Sequence, residues 1–303
     1  MPQNQSNHNN DVNERSQLGL TNAEKIARRV EERNSWSTFF DPSILDVAKM
    51  LVSRCFNQAK IPHKKVLDEI LPVLPLNFEN LSFPPKDTTK IQATWIGHAT
   101  VFVQMGGWNI ITDPIFSKRS SASQHAGPKR FRKAPCTIQQ LMVENKVPIH
   151  VVLISHNHYD HLDITSVKSI AACAIEMKER VTFIVPLGLK DWFLNYVPDS
   201  CRGENSVLDL DWHEAHCLTP DENNGKNGDG AKFPLTVTAL PAQHWSSRYG
   251  WDKDKTLWCG FGVTSSSPCP QKFMFCGDTG YFDDVYEIGN KYGPFDLAAI
   301  PSE

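Results

Sequence analysis

Runs of apolar side chains change their spacing along the chain, and those changes outline its elements. From Thr21 to Arg33, Ala, Glu, Lys and Arg dominate, which predicts a helix. A second helix is predicted over 43–58, where Ile44, Val47, Leu51 and Cys55 recur at helical spacing with Ala48, Val52 and Phe56 beside them. The aromatic connector Trp36, Phe39 and Phe40 between the two is expected to bury against the main body, the alternative being a membrane contact. Prolines punctuate 72–85, which reads as a linker.

Beyond it the period shortens. Residues 93–96 and Thr100–Met105 are β-rich, Gly106 and Gly107 form a two-residue turn, and Trp108–Thr112 returns as the next strand of a hairpin. Short apolar runs follow at 149–154, 181–185, 207–210, Leu235–Leu240, 257–263, 272–276 and 297–300, with helices predicted over 166–180 and 187–196. The pattern is that of a mixed α/β chain. Residues 1–20, rich in Asn, Gln and Ser, are expected to be a disordered tail, 21–87 a helical and aromatic segment, and 88–303 the catalytic domain.

Composition narrows the function classes. A chain of 303 residues, 40% hydrophobic and 21% charged, is long enough for a real core and excludes wholesale disorder or a fibrous repeat. A net charge of −3 supplies no global field for a dedicated nucleic-acid binder. No apolar stretch approaches a membrane span and the first residues are polar, so the expected location is intracellular. The 8 cysteines include no C-x-x-C pair, which argues for reduced, mostly buried thiols and against a thiolate metal site.

Candidate chemistry concentrates in residues 155–161, where the apolar run 151–154 ends in Ser155, His156, Asn157, His158, Tyr159, Asp160 and His161. In an extended backbone His156 and His158 point toward one ion, while Asp160 and His161, at the turn into a helix, reach a second. Imidazole and carboxylate donors suit zinc, with iron or manganese as alternatives. A fortuitous His-rich loop, with Asp160 capping a helix, is the competing explanation.

This H-x-H-x-D-H motif resembles that of the metallo-β-lactamase superfamily, which implies an α/β fold: a four-layer αββα sandwich with a two-metal site at one edge. More closely, TWIGHAT at 94–100, TDPIFS at 112–117, GPKRFR at 127–132, LISHNHYDHL at 153–162, VPLGL at 185–189, QHW at 243–245, GDTGY at 277–281 and GPFDLAAIP at 293–301 resemble the N-acylphosphatidylethanolamine-hydrolysing phospholipases D. The resemblance implies one zinc on His156, His158 and His244, a second on Asp160 and His161, and Asp278 bridging both. His244 and Asp278 each follow an apolar run, as strand-end ligands do.

The family's second zinc takes one further His downstream of the bridging Asp, and no His follows His244 here, so the second half-sandwich is expected to be incomplete and poorly soluble. The implied reaction converts an N-acylphosphatidylethanolamine to an N-acylethanolamine and phosphatidic acid, with Asp278, and with it Asp160, in the catalytic set. The implied setting is peripheral, on the cytoplasmic face of a membrane, with a second copy of the chain as a partner. Alternatives are a metallo-hydrolase acting on another phosphodiester or a lactone, and a truncated, impaired, membrane-associated form.

Other residues carry weaker signals. His98 and Asp113 are read either as partners that orient ligand imidazoles or as turn residues. Lys129, Arg130 and Arg132 are read as contacts to phosphate head groups or as a solvated loop. Tyr159 reads as a phosphate contact or as packing, 225–230 as a flexible loop, and His213 with His216 as surface residues more than as a ligand pair.

Overall fold

In the computed structural model, residues 19–43, 45, 46, 49, 52, 53, 60–81, 89–203, 205–220 and 232–301 are described. The helix expected over 43–58 and the tail therefore lie largely outside them. Helix α1 (Asn22–Ser35) begins at a capping box in which Thr21 and Glu24 satisfy each other's backbone N–H groups. A short α2 (Lys64–Ile70) follows, and the proline-punctuated stretch after it is not a free linker: Leu76, Phe78 and Leu81 pack on the body of the protein.

The first sheet runs β1 (Gln92–Gly97), β2 (Thr100–Met105), β3 (Trp108–Thr112), β4 (Val151–Leu153), β5 (Thr182–Pro186) and β6 (Ser206–Leu210), in that order across the sheet. The first three strands are antiparallel and the later pairs parallel, so β3, β4, β5 and β6 end at one edge. Gly106 and Gly107, at φ 55° and 82°, make the predicted hairpin turn, which needs left-handed backbone at both positions. Helix α3 (Ile164–Met177) starts earlier than its apolar period suggested, because Asp163 caps the Thr165 N–H, and stops where Lys178 turns left-handed. With α4 (Lys190–Tyr196) and a π-helical turn at Gln140–Glu144, it covers the outer face of this sheet around Val152, Ile170, Phe183 and Phe193. A one-turn helix, α5 (Asp199–Arg202), leads into β6.

The second sheet has the order β11 (Leu297–Ala299), β10 (Gln271–Phe275), β9 (Gly260–Ser265), β8 (Leu235–Leu240) and β7 (Ala215–Leu218). Its inner residues Val237, Phe261, Val263 and Phe273 meet Val103, Ile110, Val151 and Ile184 of the first sheet in the central core. Helix α6 (Val285–Tyr292) lies on its outer side, where the Lys272 ammonium donates to the carbonyls of Tyr292 and Gly293. Together these make the four αββα layers. The strand expected from 257 starts only at Gly260, because Leu257 and Cys259 spend their N–H groups on Leu187 and Ser155, just past the ends of β5 and β4, and so tie the layers together. The predicted burial of the connector holds for Trp36 and, in part, Phe39, whereas Phe40 is exposed. Cys136, Cys173, Cys259 and Cys276 are free and buried, Cys217 and Cys269 free and exposed. Among the described residues no helix is long and apolar enough to cross a membrane.

Candidate metal centre

Four strand ends deliver the site. Past β4 the chain leaves the sheet through Ser155 into the loop 156–161; past β8 it reaches His244, past β10 Asp278, and past β3 Asp113. The loops of His244 and Asp278 are joined directly, since Gly280 donates its N–H to the Gln243 carbonyl at 2.9 Å and Gln243 donates its own to the Thr279 hydroxyl at 2.9 Å. Gly277 has φ 60° and leaves no room for a Cβ, which would stand 2.6 Å from that of Ser155.

Three imidazoles converge. His156 Nε2 lies 2.8 Å from His158 Nδ1 and 3.2 Å from His244 Nε2, with 3.3 Å between the latter pair. Donors held about 2.0–2.1 Å from one tetrahedral ion stand about 3.3 Å apart, so the triad has the spacing of a metal site. Burial holds all three below the ordinary imidazole range, aided by neighbouring imidazoles at His156 and His244, the latter pushed down to about 3. Neutral rings whose nitrogen lone pairs face one another are arranged for a cation, not for one another.

A second group adjoins the first. His161 Nε2 is 3.1 Å from Asp278 Oδ2 and 3.8 Å from Asp160 Oδ2, and His98 Nε2 is 3.3 Å from the same Asp160 oxygen. Asp278 Oδ2 also lies 3.9 Å from His244 Nε2, which places this carboxylate between the two groups. Burial opposes charge on His161, but Asp113 and Asp278 overcome it and push the imidazole up to about 10; the carboxylates that favour a proton there favour a metal cation equally. Burial likewise opposes charge on Asp160, and the hydrogen bond from His98 with the neighbouring imidazoles holds its carboxyl below the usual range. The sequence-read set His156, His158, Asp160, His161, His244 and Asp278 is thus brought together, and His98 joins it.

Asp113 fixes the tautomers. It accepts from His161 Nδ1 at 2.7 Å, from the Ser155 N–H at 2.7 Å and from the Ser155 hydroxyl at 2.6 Å. Because that hydroxyl donates to Asp113, it accepts from His156 Nδ1 at 2.9 Å, which leaves His156 Nε2 as an acceptor facing the centre; at His161 a metal cation would take the place of the Nε2 proton. Of its two sequence readings, Asp113 thus takes that of an orienting partner.

Arg248 brackets the motif loop by donating to the carbonyls of Asn157 at 3.0 Å and Leu162 at 2.9 Å, and its guanidinium lies 4.0 Å from the Tyr159 ring centre. The Tyr159 ring thus packs against Arg248. In the basic run, Arg130 donates to the carbonyls of Ile115 and Arg132, and Arg132 pairs with Asp68 at 2.7 Å, while Lys129 is exposed. His213 and His216 stay apart from the centre, the former bonded to the Tyr292 hydroxyl at 2.8 Å. Arg33 and Arg248 carried no sequence signal, since cations on a polar helix and in a polar loop read as solvated.

The Beta-lactamase superfamily domain model matches residues 108–303. N-acyl-phosphatidylethanolamine-hydrolyzing phospholipase D 1 of Caenorhabditis elegans is 34% identical over 290 residues, 93% of this chain and 74% of its own length. The chain belongs to this family of metal-dependent hydrolases. Other relatives of the family member are the mitochondrial N-acyl-phosphatidylethanolamine-hydrolyzing phospholipase D of Saccharomyces cerevisiae, 31% identical over 78% of this chain and 44% of that one, and an uncharacterized protein of Mycobacterium tuberculosis, 31% identical over 76% and 53%. The chain thus spans about half the length of these two curated relatives. A metallo hydrolase from the archaeon Ignicoccus hospitalis aligns with a TM-score of 0.42 at 18% identity over 69% of each chain.

Proposed function

We propose that this protein is a zinc-dependent phosphodiesterase of the phospholipase D type, hydrolysing N-acylphosphatidylethanolamine to an N-acylethanolamine and phosphatidic acid. The observation that carries the reading is the convergence of the His156, His158 and His244 nitrogens within 3.3 Å beside the Asp160, His161 and Asp278 group. Donor chemistry supports zinc, since imidazole nitrogen and carboxylate oxygen are its usual non-thiolate ligands. His156, His158 and His244 would hold one ion, Asp160 and His161 another, with Asp278 shared.

When bound, such ions supply positive charge to the oxygens of a phosphodiester and acidify water near neutral pH. Asp278 Oδ2, between the two groups, is placed to take a proton from attacking water. Asp113 and Ser155 hold the His161 and His156 rings in fixed orientation, so neither ring needs to turn as charge develops. Ser155 donates to Asp113 and is no free nucleophile.

An amphiphilic substrate is supported by exposed aromatics near the site: Trp95 on β1, just before the His98 turn, at 65%, and Trp245 and Tyr281 on the ligand loops at 43% and 76% exposure. Such rings suit an interface of lipid and water, which supports peripheral attachment to a membrane surface. The test is elemental analysis of the purified full chain combined with turnover of N-acylphosphatidylethanolamine in mixed micelles. About two zinc ions per chain, chelator-sensitive release of N-acylethanolamine and its loss in Asp278→Asn are expected; zinc-loaded protein without release would overturn the substrate assignment.

A further inference from the structure

We infer that residues 33–38, outside the stretch matched by the superfamily model, are a positioning strap that holds the His244 and Asp278 loops in ligating arrangement, an inference that rests on the metal reading above. On one side, the Arg33 guanidinium donates to the carbonyl oxygen of His244 itself at 2.9 Å. It also pairs with Asp254 at 3.2 Å, and Asp254 exchanges hydrogen bonds with the backbone of Ser246, two residues past His244. On the other side, the Trp36 indole donates to Asp284 at 3.1 Å and the Ser37 hydroxyl to Asp283 at 2.8 Å. The Thr38 hydroxyl stands between the loops, 2.6 Å from the Tyr281 carbonyl and 2.8 Å from Gln243 Oε1. Four residues within one six-residue stretch, Arg33, Trp36, Ser37 and Thr38, therefore bond to the two ligand loops and the turn that follows Asp278.

Packing alone does not account for an arginine here. Arg33 is 2% exposed, and its guanidinium lies 4.4 Å from the Phe39 ring centre and 4.8 Å from that of Trp258. A methionine would fill that slot without the desolvation that a buried cation costs. What arginine adds is a rigid fork that engages the His244 carbonyl and the Asp254 carboxylate at once. The two loops touch directly through only a few bonds, so the strap restricts the hinge between a ligand on one side and a ligand on the other.

The test uses the full chain as wild type, Arg33→Met and Thr38→Val, with Val167→Ala in α3 as a control that lowers stability away from the site. Zinc affinity is read by competition with a chromophoric chelator, and amide hydrogen exchange of 242–247 and 278–284 is read without metal. Arg33→Met is expected to weaken zinc binding about 10- to 100-fold, as loss of a partner behind a ligand does, and to speed exchange in both loops. Thr38→Val, at an exposed position, is expected to weaken it about 2- to 10-fold; it carries the test if Arg33→Met does not fold. The control is expected to change neither readout. Exchange unchanged in the strap variants, or faster exchange with wild-type zinc affinity, would overturn the strap. A wild-type chain that binds no zinc would overturn the metal reading by itself, and the exchange comparison would still decide the strap.

Discussion

Asp113 shows how one side chain governs several others. Its two oxygens receive three donors, from the Ser155 backbone, the Ser155 hydroxyl and His161 Nδ1, so the carboxylate cannot become an amide without losing one acceptance. Asp113→Asn is expected to weaken metal affinity about 10- to 100-fold while the chain stays folded; chelator competition on the variant checks it. His150, away from the centre, gives a prediction in pH. It is 3% exposed, its Nδ1 accepts the Asn109 N–H at 2.9 Å, and burial with the charge of Lys232 holds its pKa well below 6.5. Below pH 6.5 the unfolded chain therefore takes up a proton that the folded one refuses, and stability falls as pH falls, by about 1.4 kcal/mol per pH unit for one proton. His150→Gln is expected to flatten denaturation midpoints between pH 6.5 and 5 by about that slope; an unchanged slope would clear His150 as the cause.

At the scale of elements, Trp36 decides how α1 is attached. It stacks on Phe282 at 4.3 Å and Trp212 at 5.7 Å between ring centres, so Trp36→Ala is expected to cost about 3–5 kcal/mol in urea unfolding. Elements whose apolar period was strong were legible beforehand: the hairpin at Gly106 and Gly107, β4, β5, β8 and α3 all stand where their residues put them, within a few positions at the ends. Those missed had weak patterns. Strand β7 is four residues of mixed character, α2 buries no residue, and α6 buries only Ile288. In the site, ligands on the motif were readable because imidazoles and carboxylates crowd one strand end. The roles of Arg33 and Arg248 were not, because they depend on carbonyls brought close only by the fold: His244 is 211 positions from Arg33.

For the whole molecule, the candidate ligands come from both sheets, His156, His158, Asp160 and His161 from the first and His244 and Asp278 from the second. Zinc at about 100 times its dissociation constant is expected to add about 2.7 kcal/mol of stability, and in a chain of this size to raise the melting temperature by roughly 4 °C. Scanning calorimetry with and without chelator measures it. The same division between sheets has a kinetic side. Ligands as far apart in sequence as His156 and Asp278 meet only after both sheets have docked, so an ion there would join the structure late and be absent from the folding barrier. Stripping it should leave the refolding rate nearly unchanged and speed unfolding, so the ion would act as a latch on the finished sandwich and not as its nucleus.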